Sequence, residues 1–201
     1  HLLEALEKFY DTAIKAKAAP VNESGLTCEE YYRLTKRFLE TQVKGNLAFR
    51  KKVTASPPPA TKYSGGNLAL LTNGVRGAND FKVHWLGWEG QNFTLLLDLE
   101  KPVEASVIEI STLWDAKSWI LHPVSVSCYV SKDGTNFELI GTQKYEDDQK
   151  KAEVSKIWSF PVSGRSFRWV KFEVQGTLKL YDWHPSAGGK SWVFVDEIVV
   201  R

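Results

Sequence analysis

Beyond residue 92 the chain repeatedly alternates apolar and polar residues, and this two-residue period restricts the fold more than any other feature of the sequence. Successive side chains of a β-strand point to opposite faces, so each such run predicts a strand with one buried face. No helical run separates these strands, which disfavours a parallel sheet with crossover helices. We therefore predict an all-β fold, an antiparallel β-sandwich. The predicted strands are Phe93–Leu99, Val107–Ile110, Val124–Val130, Phe137–Ile140, Phe167–Val174 and Trp192–Val200.

The segment Ser131–Asn136 lies between two of these strands and contains Asp133-Gly134. Asp and Gly tolerate turn conformations that cost other residues energy. We expect a hairpin there. Ile157-Trp158-Ser159-Phe160 is a further predicted strand.

The first 43 residues follow a helical period instead. Residues 2–17 place apolar side chains three and four positions apart, as on one face of an amphipathic helix. Thr27-Cys28-Glu29-Glu30 is a capping box that predicts the start of a second helix, which ends at Gly45. We expect an α-helical hairpin that precedes the sandwich, with a helical segment at 1–44 and the β-sandwich at 45–201. Two helices alone cannot bury both apolar faces, so the hairpin is either a connector packed on the sandwich or the tail of a preceding domain.

Composition excludes several kinds of partner. The chain carries 26 Lys and Arg against 24 Asp and Glu, and its basic run Arg50-Lys51-Lys52 is too short to follow a phosphate backbone. No apolar stretch approaches the roughly 20 residues that span a bilayer. We therefore expect no nucleic-acid partner and no membrane insertion. The chain contains no Met and opens within a helical pattern, so we interpret it as a piece of a longer protein.

The two cysteines, Cys28 and Cys128, lie far apart, and Cys128 falls in the alternating run that ends at Val130. We expect Cys128 to be buried as a small apolar residue, without a disulfide or metal role.

Catalytic patterns are missing from the sequence. It has no G-x-S-x-G, no HExxH and no phosphate-binding loop. Glycoside hydrolysis needs two carboxylates that face each other across a cleft, and no such pair can be chosen from Asp80, Glu89, Asp115 and Asp182. We expect no enzymatic activity.

Three blocks of the sequence resemble discoidin domains, also called coagulation factor type C domains. The first runs from Gly45-Asn46-Leu47-Ala48 to Lys62-Tyr63-Ser64-Gly65-Gly66, and the second joins Leu71-Thr72-Asn73-Gly74-Val75-Arg76-Gly77 to Trp85-Leu86-Gly87-Trp88. The third joins Trp183-His184-Pro185 to the last predicted strand. The resemblance covers residues 45–201 and is to domains attached to bacterial glycosidases. It implies a jelly-roll-like, galactose-binding-like sandwich whose loops bind terminal sugars, as in family 32 carbohydrate-binding modules.

The resemblance also implies a structural calcium ion where an early loop meets the last strand. Calcium prefers six to eight oxygen ligands, which a loop supplies as backbone carbonyls and one or two carboxylates. The corresponding positions here are Asn73, Asp80 and Glu197. Asn73 stands where the family pattern has Asp, which removes one formal charge from the site unless Asp80 compensates. Without calcium, ordinary turn hydrogen bonds would hold this loop.

Sugar binding requires aromatic rings with polar neighbours, because a pyranose presents both C–H faces and hydroxyls. The chain contains eight Trp. We expect Trp158, Trp169 and Trp192 in the core, because they lie inside strand patterns, and Trp88 and Trp119 beside packing positions. The predicted sugar-binding residues are His84, Trp85, Trp114, Asp115, Trp183, His184 and Lys190. His122 and His184 each precede Pro, so either imidazole has an alternative role as a hydrogen-bond partner of a backbone carbonyl.

These observations predict a non-catalytic carbohydrate-binding module of a larger secreted, periplasmic or cell-surface protein, with a glycan and the catalytic domain of the parent chain as partners. The alternative is a structural module that docks on a neighbouring catalytic domain and binds no free sugar.

Overall fold

A computed structural model describes residues 45–77, 80–82 and 84–201, together with Lys8 and Thr12. The helical hairpin predicted over residues 2–43 lies outside the described residues, as does Cys28. Leu47–Arg201 form one compact unit. The division of the chain at residue 45 stays a prediction. Among the described residues there is no helix long and apolar enough to cross a bilayer.

The predicted strands are all present. Two further strands precede them in the chain, one in each sheet. The strands of the described part of the chain are β1 (Lys52–Ser56), β2 (Leu86–Glu89), β3 (Phe93–Glu104), β4 (Val107–Leu113), β5 (Ser125–Ser131), β6 (Glu138–Lys144), β7 (Ser155–Pro161), β8 (Ser166–Gln175) and β9 (Trp192–Val200). Short 3-10 helices lie at Ser64–Gly66, Leu68–Thr72 and Ala116–Ser118.

The strands form two sheets. A five-stranded sheet has the order β1-β3-β8-β5-β6, and a four-stranded sheet has the order β2-β9-β4-β7. Every pairing between neighbouring strands is antiparallel. The predicted antiparallel β-sandwich is therefore confirmed.

The main core lies between the sheets and is filled by the inward phase of each strand. Val170, Phe172 and Val174 of β8 are buried, whereas Lys171 and Glu173 are not. Burying the side chains of one face of each strand removes apolar surface from water. This stabilises the fold by about 25 cal/mol per Å2 of apolar surface buried.

Trp88 and Cys128 are buried in this core. The Trp88 ring stacks on Phe93 with centroids 4.0 Å apart, and its indole N–H donates to the carbonyl of Pro57 at 3.0 Å. Cys128 has a free thiol whose pKa is raised by burial. Both residues therefore act in packing, as predicted.

A second, smaller core covers the opposite face of the four-stranded sheet. In β9, Val193 and Val195 belong to the main core, so the alternating side chains of Trp192 and Phe194 face the other way. Loops from elsewhere in the chain fold over them. We call this set the outer cluster; it consists of Trp85, Leu113, Ile120, Trp192 and Phe194, with Ala60, Tyr63 and Phe81 packed against it. Because both faces of β9 are covered, all nine of its residues are buried.

The predicted hairpin at Ser131–Asn136 connects β5 to β6. The Asp133 carboxylate accepts the backbone N–H groups of Thr135 and Asn136, both at 2.8 Å, and Gly134 has a φ of 78°. The hydrogen bonds from Asn136 and Thr135 hold the pKa of Asp133 below its ordinary value. The turn chemistry expected from Asp-Gly is confirmed.

Trp169 corrects one expectation. Trp158 and Trp192 are buried as predicted, but Trp169 is only half-buried and shares the outward phase of Lys171. Its ring lies beside Gly134, where an added Cβ would be 3.0 Å from the indole. Trp169 therefore packs on the outer face of the five-stranded sheet and not in the core.

Candidate functional site

Between β4 and β5 the chain makes a tight turn that presents Trp119. Asp115 and Ile120 close the base of the turn, each donating its N–H to the other's carbonyl at 3.0 Å. Trp119 has a left-handed backbone, with φ 66° and ψ 20°, which is costly for a residue with a Cβ. Its carbonyl accepts the N–H of Trp192 at 2.8 Å, which ties the turn to β9. The indole of Trp119 is 46% exposed. Backbone strain of this kind clusters at functional sites.

His184 joins this turn to the loop that precedes β9. The backbone N–H of Ser186 donates to Nδ1 of His184 at 3.0 Å. Nδ1 is therefore an acceptor, so the proton lies on Nε2, which donates to the carbonyl of Ala116 at 2.8 Å. The side chain is buried, at 7% exposure. Both ring nitrogens are used within the protein, so His184 positions the two loops relative to each other.

The two loops enclose a cleft of about 380 Å3. We call it the aromatic cleft; it is lined by Ala116, Lys117, Trp119, Trp183, His184, Pro185 and Ser186. Trp183 is half-buried, and its ring stacks beside Tyr181 with centroids 6.2 Å apart and an interplanar angle of 20°. The volume of the aromatic cleft lies in the range of small-molecule binding sites.

A third segment, residues 147–149, fixes two tryptophans at or near the cleft through its backbone carbonyls. The indole N–H of Trp183 donates to the carbonyl of Asp148 at 2.8 Å, and that of Trp114 donates to the carbonyl of Gln149 at 3.1 Å. The Gln149 side chain in turn pairs with the backbone of His122, accepting its N–H at 2.7 Å and donating to its carbonyl at 2.8 Å. Trp183 is thus held at a defined orientation by its own polar edge.

His122 is the buried centre of this support. The indole N–H of Trp158 donates to the Thr112 hydroxyl at 2.9 Å, and that hydroxyl donates to Nδ1 of His122 at 2.8 Å. Nε2 of His122 then donates to the carbonyl of Glu153 at 2.9 Å. Desolvation by burial lowers the pKa of His122 from 6.5 to about 4. The imidazole is therefore neutral at physiological pH, with its proton on Nε2.

The structure brings only part of the predicted sugar-binding set together. Trp183 and His184 line the aromatic cleft, and Asp115 forms the base of the Trp119 turn, where its carboxylate accepts the Ser118 hydroxyl at 2.6 Å. Trp114 is half-buried and directed at Gln149. Trp114 therefore supports the site and does not line it.

Trp85, His84 and Lys190 lie away from the aromatic cleft. Trp85 is 1% exposed within the outer cluster, so its ring has no face open to a sugar and the prediction for this residue is wrong. His84 has a left-handed φ of 61°, and its Nδ1 is buried without a hydrogen-bond partner among the described residues. Lys190 is exposed, with its alkyl chain over Gly90, where an added Cβ would be 3.0 Å from the Lys190 Cγ.

Trp119 is the residue that the sequence interpretation missed. It was expected beside packing positions, but it is the most exposed Trp of the cleft lining. Its left-handed backbone, which the sequence pattern does not predict, accompanies this exposure.

The predicted calcium ligands are brought together in part. The loop after the 3-10 helix Leu68–Thr72 packs on β9, where Gly74 N–H donates to the buried Glu197 carboxylate at 3.0 Å. The Asn73 side chain accepts the N–H of Val75 at 2.8 Å. Asp80 is exposed, and its carboxylate accepts the N–H of Lys82 at 3.0 Å. No group of three His, Cys, Asp or Glu among the described residues is arranged to hold a metal ion.

Two adjacent acids of β9 are buried under this loop. Asp196 accepts the N–H of Gly77 at 2.7 Å and also contacts the Ser111 hydroxyl. Arg76 supplies a nearby positive charge, donating to Ser111 at 2.9 Å and to Glu109 at 3.3 Å. Desolvation raises the pKa of Asp196, and it raises that of Glu197 to about 8. The loop is thus held to β9 by the carboxyl groups of Asp196 and Glu197, whose oxygens accept backbone N–H groups.

The described strands form an antiparallel β-sandwich, and loops at its edge line an aromatic cleft. No family model and no curated protein matches the sequence. Among solved structures, chitosan-binding module 1 of a chitosanase/glucanase from Paenibacillus sp. IK-5 is 18% identical, with a TM-score of 0.51 over 78% of this chain and 98% of that module. This similarity is one of fold, and it agrees with the antiparallel β-sandwich predicted from the sequence.

Two modules produced by Clostridium perfringens are also similar. CpGH89CBM32-6 is 21% identical, with a TM-score of 0.45 over 78% of this chain and 98% of its own. CpGH89CBM32-5, solved in complex with GalNAc-β-1,3-galactose, is 17% identical, with a TM-score of 0.48 over 75% of this chain and 94% of its own.

Proposed function

We propose that this chain is a non-catalytic carbohydrate-binding module and that the aromatic cleft is its binding site. One observation carries the proposal: Trp119, held exposed by a strained backbone, and Trp183, fixed through its indole N–H, line the same cleft. The confirmed fold is one that carbohydrate-binding modules use, as in the chitosan-binding module of Paenibacillus sp. IK-5.

The cleft lining suits a sugar chemically. A pyranose packs its C–H face on an indole, and its hydroxyls then need hydrogen-bonding partners at the rim. Lys117 and Ser186 line the cleft and supply such groups. Because His184 and the Trp183 indole N–H are already used within the protein, the cleft is preorganised, which reduces the entropic cost of binding.

The module would act as an accessory unit of a larger secreted or surface glycan-processing protein, with its glycan specificity set by the cleft and the chemistry carried by a catalytic domain. The rival function is docking on that catalytic domain, in which case Trp119 would contact protein instead of sugar.

Isothermal titration calorimetry tests the proposal with a panel of neutral oligosaccharides: galactose- and N-acetylgalactosamine-containing disaccharides, cello-oligosaccharides and N-acetylated chito-oligosaccharides. We expect saturable binding of at least one of them. Trp119→Ala and Trp183→Ala should each weaken it by about tenfold or more, because aromatic anchors dominate binding energy.

Two further variants separate the ring from other effects. Trp183→Phe keeps an aromatic face but loses the bond to Asp148, so it should bind better than Trp183→Ala. Trp169→Ala removes a half-buried Trp from the outer face of the other sheet and should leave affinity unchanged. Absence of binding across the whole panel would favour the docking function.

A structural calcium ion at the Asn73 loop is a separate proposal. Asn73 and Glu197 would supply one amide oxygen and one carboxylate, and backbone carbonyls of the loop would have to supply the remaining ligands. Because Asp80 is exposed and its carboxylate accepts the N–H of Lys82, the described side chains support this site less well than the family pattern does.

Thermal unfolding with and without a chelator tests the calcium proposal. A ligand that binds only the folded state raises the Tm by mass action. We expect EDTA to lower the Tm and excess calcium to restore it, with Glu197→Gln abolishing the response. A Tm that is the same in EDTA and in calcium contradicts it.

A further inference from the structure

A second cleft lies over the outer cluster, because two of its lining residues, Tyr63 and Phe81, pack against that cluster. It has a volume of about 340 Å3 and is lined by Lys62, Tyr63, Ser64, Phe81 and Lys82. We call it the basic cleft. None of these residues belongs to the aromatic cleft, and none was predicted from the sequence to bind sugar.

The floor of the basic cleft is aromatic. The rings of Tyr63 and Phe81 meet edge to face with centroids 5.8 Å apart. Tyr63 is anchored beneath by Phe194 and Trp192, with centroids 4.8 and 5.1 Å away. Because these contacts hold the two rings in a rigid cluster, the floor is a fixed apolar surface.

Two ammonium groups stand over this floor. The Lys62 Nζ lies 5.3 Å from the Tyr63 ring centroid and 5.9 Å from that of Trp192, and the Lys82 Nζ lies 5.8 Å from the Phe81 centroid. Both lysines are exposed. Within the described part of the chain, neither ammonium forms an ion pair with a carboxylate. The neighbouring Asp80 accepts the backbone N–H of Lys82 and does not pair with its ammonium.

Trp192 contacts elements of both clefts. The backbone N–H of Trp192 donates to the carbonyl of Trp119, on the side of the aromatic cleft. The ring of the same residue lies under Tyr63 and Lys62, on the side of the basic cleft. One residue of β9 therefore positions an element of each cleft.

We propose that the basic cleft binds an anionic sugar, one that carries a carboxylate or a sulfate; this inference rests on the proposed carbohydrate-binding function. The sugar ring packs on Tyr63 and Phe81, and its anionic group forms charge-assisted hydrogen bonds with Lys62 and Lys82. The same two charges repel a protonated amino sugar. The module thus selects acidic glycans over neutral ones and disfavours unacetylated chitosan.

Calorimetry with matched oligosaccharides tests the charge preference. The probes are the neutral oligosaccharides of the panel above and their C6-oxidised forms, in which a carboxylate replaces each primary alcohol. C6-sulfated forms and unacetylated chito-oligosaccharides complete the set. At low ionic strength we expect an acidic form to bind on the order of tenfold more tightly than its neutral parent, as two exposed ion pairs provide. The preference should shrink at 0.5 M salt, because salt screens exposed charges.

Variants assign the preference to the cleft. The double variant Lys62→Gln and Lys82→Gln should bind acidic and neutral forms equally. Lys132→Gln, the same charge change in the β5–β6 hairpin, should keep the preference. A gain with the carboxylated or the sulfated form that the double variant loses supports the proposal and identifies the anion.

The outcomes separate this inference from the function it rests on. Neutral sugar binding that depends on Trp119, without any gain from acidic groups, overturns the basic cleft alone. A preference for acidic forms that survives in the double variant also overturns it. Failure of every neutral and acidic form to bind overturns both proposals.

Discussion

The buried His122 makes the stability of the sandwich depend on pH between about 4 and 6.5. In the folded protein its neutral form is favoured, because burial lowers its pKa from 6.5 to about 4. The unfolded chain therefore binds more protons than the folded one in this range. The stabilising contribution of the neutral imidazole is complete above pH 6.5 and is lost as the pH falls towards 4.

The magnitude follows from the shift. One pKa unit corresponds to 1.36 kcal/mol. A decrease of the His122 pKa from 6.5 to about 4 therefore contributes about 3 kcal/mol to the free energy of unfolding at pH values above 6.5. Geometry gives the same direction, because protonation of Nδ1 would remove the acceptor to which the Thr112 hydroxyl donates its proton. Glu153 and Asp147 oppose the shift and Lys156 reinforces it, but desolvation dominates.

Urea unfolding at pH 7, 6, 5 and 4 measures the effect. Carboxylates titrate in the same range, so the informative quantity is the difference between the wild type and His122→Gln, which does not titrate. The free energy of unfolding of the wild type should fall by about 3 kcal/mol more than that of the variant between pH 7 and pH 4. Parallel pH profiles for the two proteins would refute the assignment of His122 as a buried neutral imidazole.

Two other substitutions test the packing. Phe172→Ala leaves a cavity at a fully buried position of the central strand β8. It should lower the free energy of unfolding by about 3–5 kcal/mol in a denaturant titration. An unchanged free energy of unfolding would mean that this face of β8 is exposed to solvent. Gly77→Ala places a Cβ 2.2 Å from the indole nitrogen of Trp85, so it should destabilise the fold by about 1–3 kcal/mol. Gly45→Ala should not, because no described residue comes within 4 Å of a Cβ added there. Equal stability of the two glycine variants would contradict the close packing of the loop on Trp85.

The strands were predictable because the two-residue period is a local signal. The period also indicates where Trp169 lies. Trp169 alternates in step with the polar residues Lys171 and Glu173, and the buried face of β8 is formed by Val170, Phe172 and Val174. Assigning each strand position by phase would have placed Trp169 on the outer face. Being inside a strand does not by itself mean being in the core.

The loop tryptophans could not be assigned in this way, because their burial depends on residues distant in sequence. Trp85 is buried because Tyr63, Phe81 and Ile120 fold over β9 from three separate loops. Trp119 is exposed because Asp115 pairs with Ile120 and the turn is bonded to β9, which leaves position 119 with a left-handed backbone. Neither arrangement has a local sequence signal.

The metal prediction shows the limit of transferring a family pattern. The sequence resemblance located the loop that packs on Glu197, and the structure brings Asn73 to it. Asp80 does not follow, because its carboxylate accepts the N–H of Lys82, two residues along the chain.

The central claim, that sugar enters the aromatic cleft, is tested most directly by the indole N–H signals of the eight Trp in a two-dimensional NMR titration with the tightest-binding neutral oligosaccharide. The signals of Trp119 and Trp183 should shift in proportion to saturation, since both rings line the cleft. Those of Trp88 and Trp158 should stay in place, because both are buried in the main core. Saturable binding that shifts neither the Trp119 nor the Trp183 signal would contradict the account.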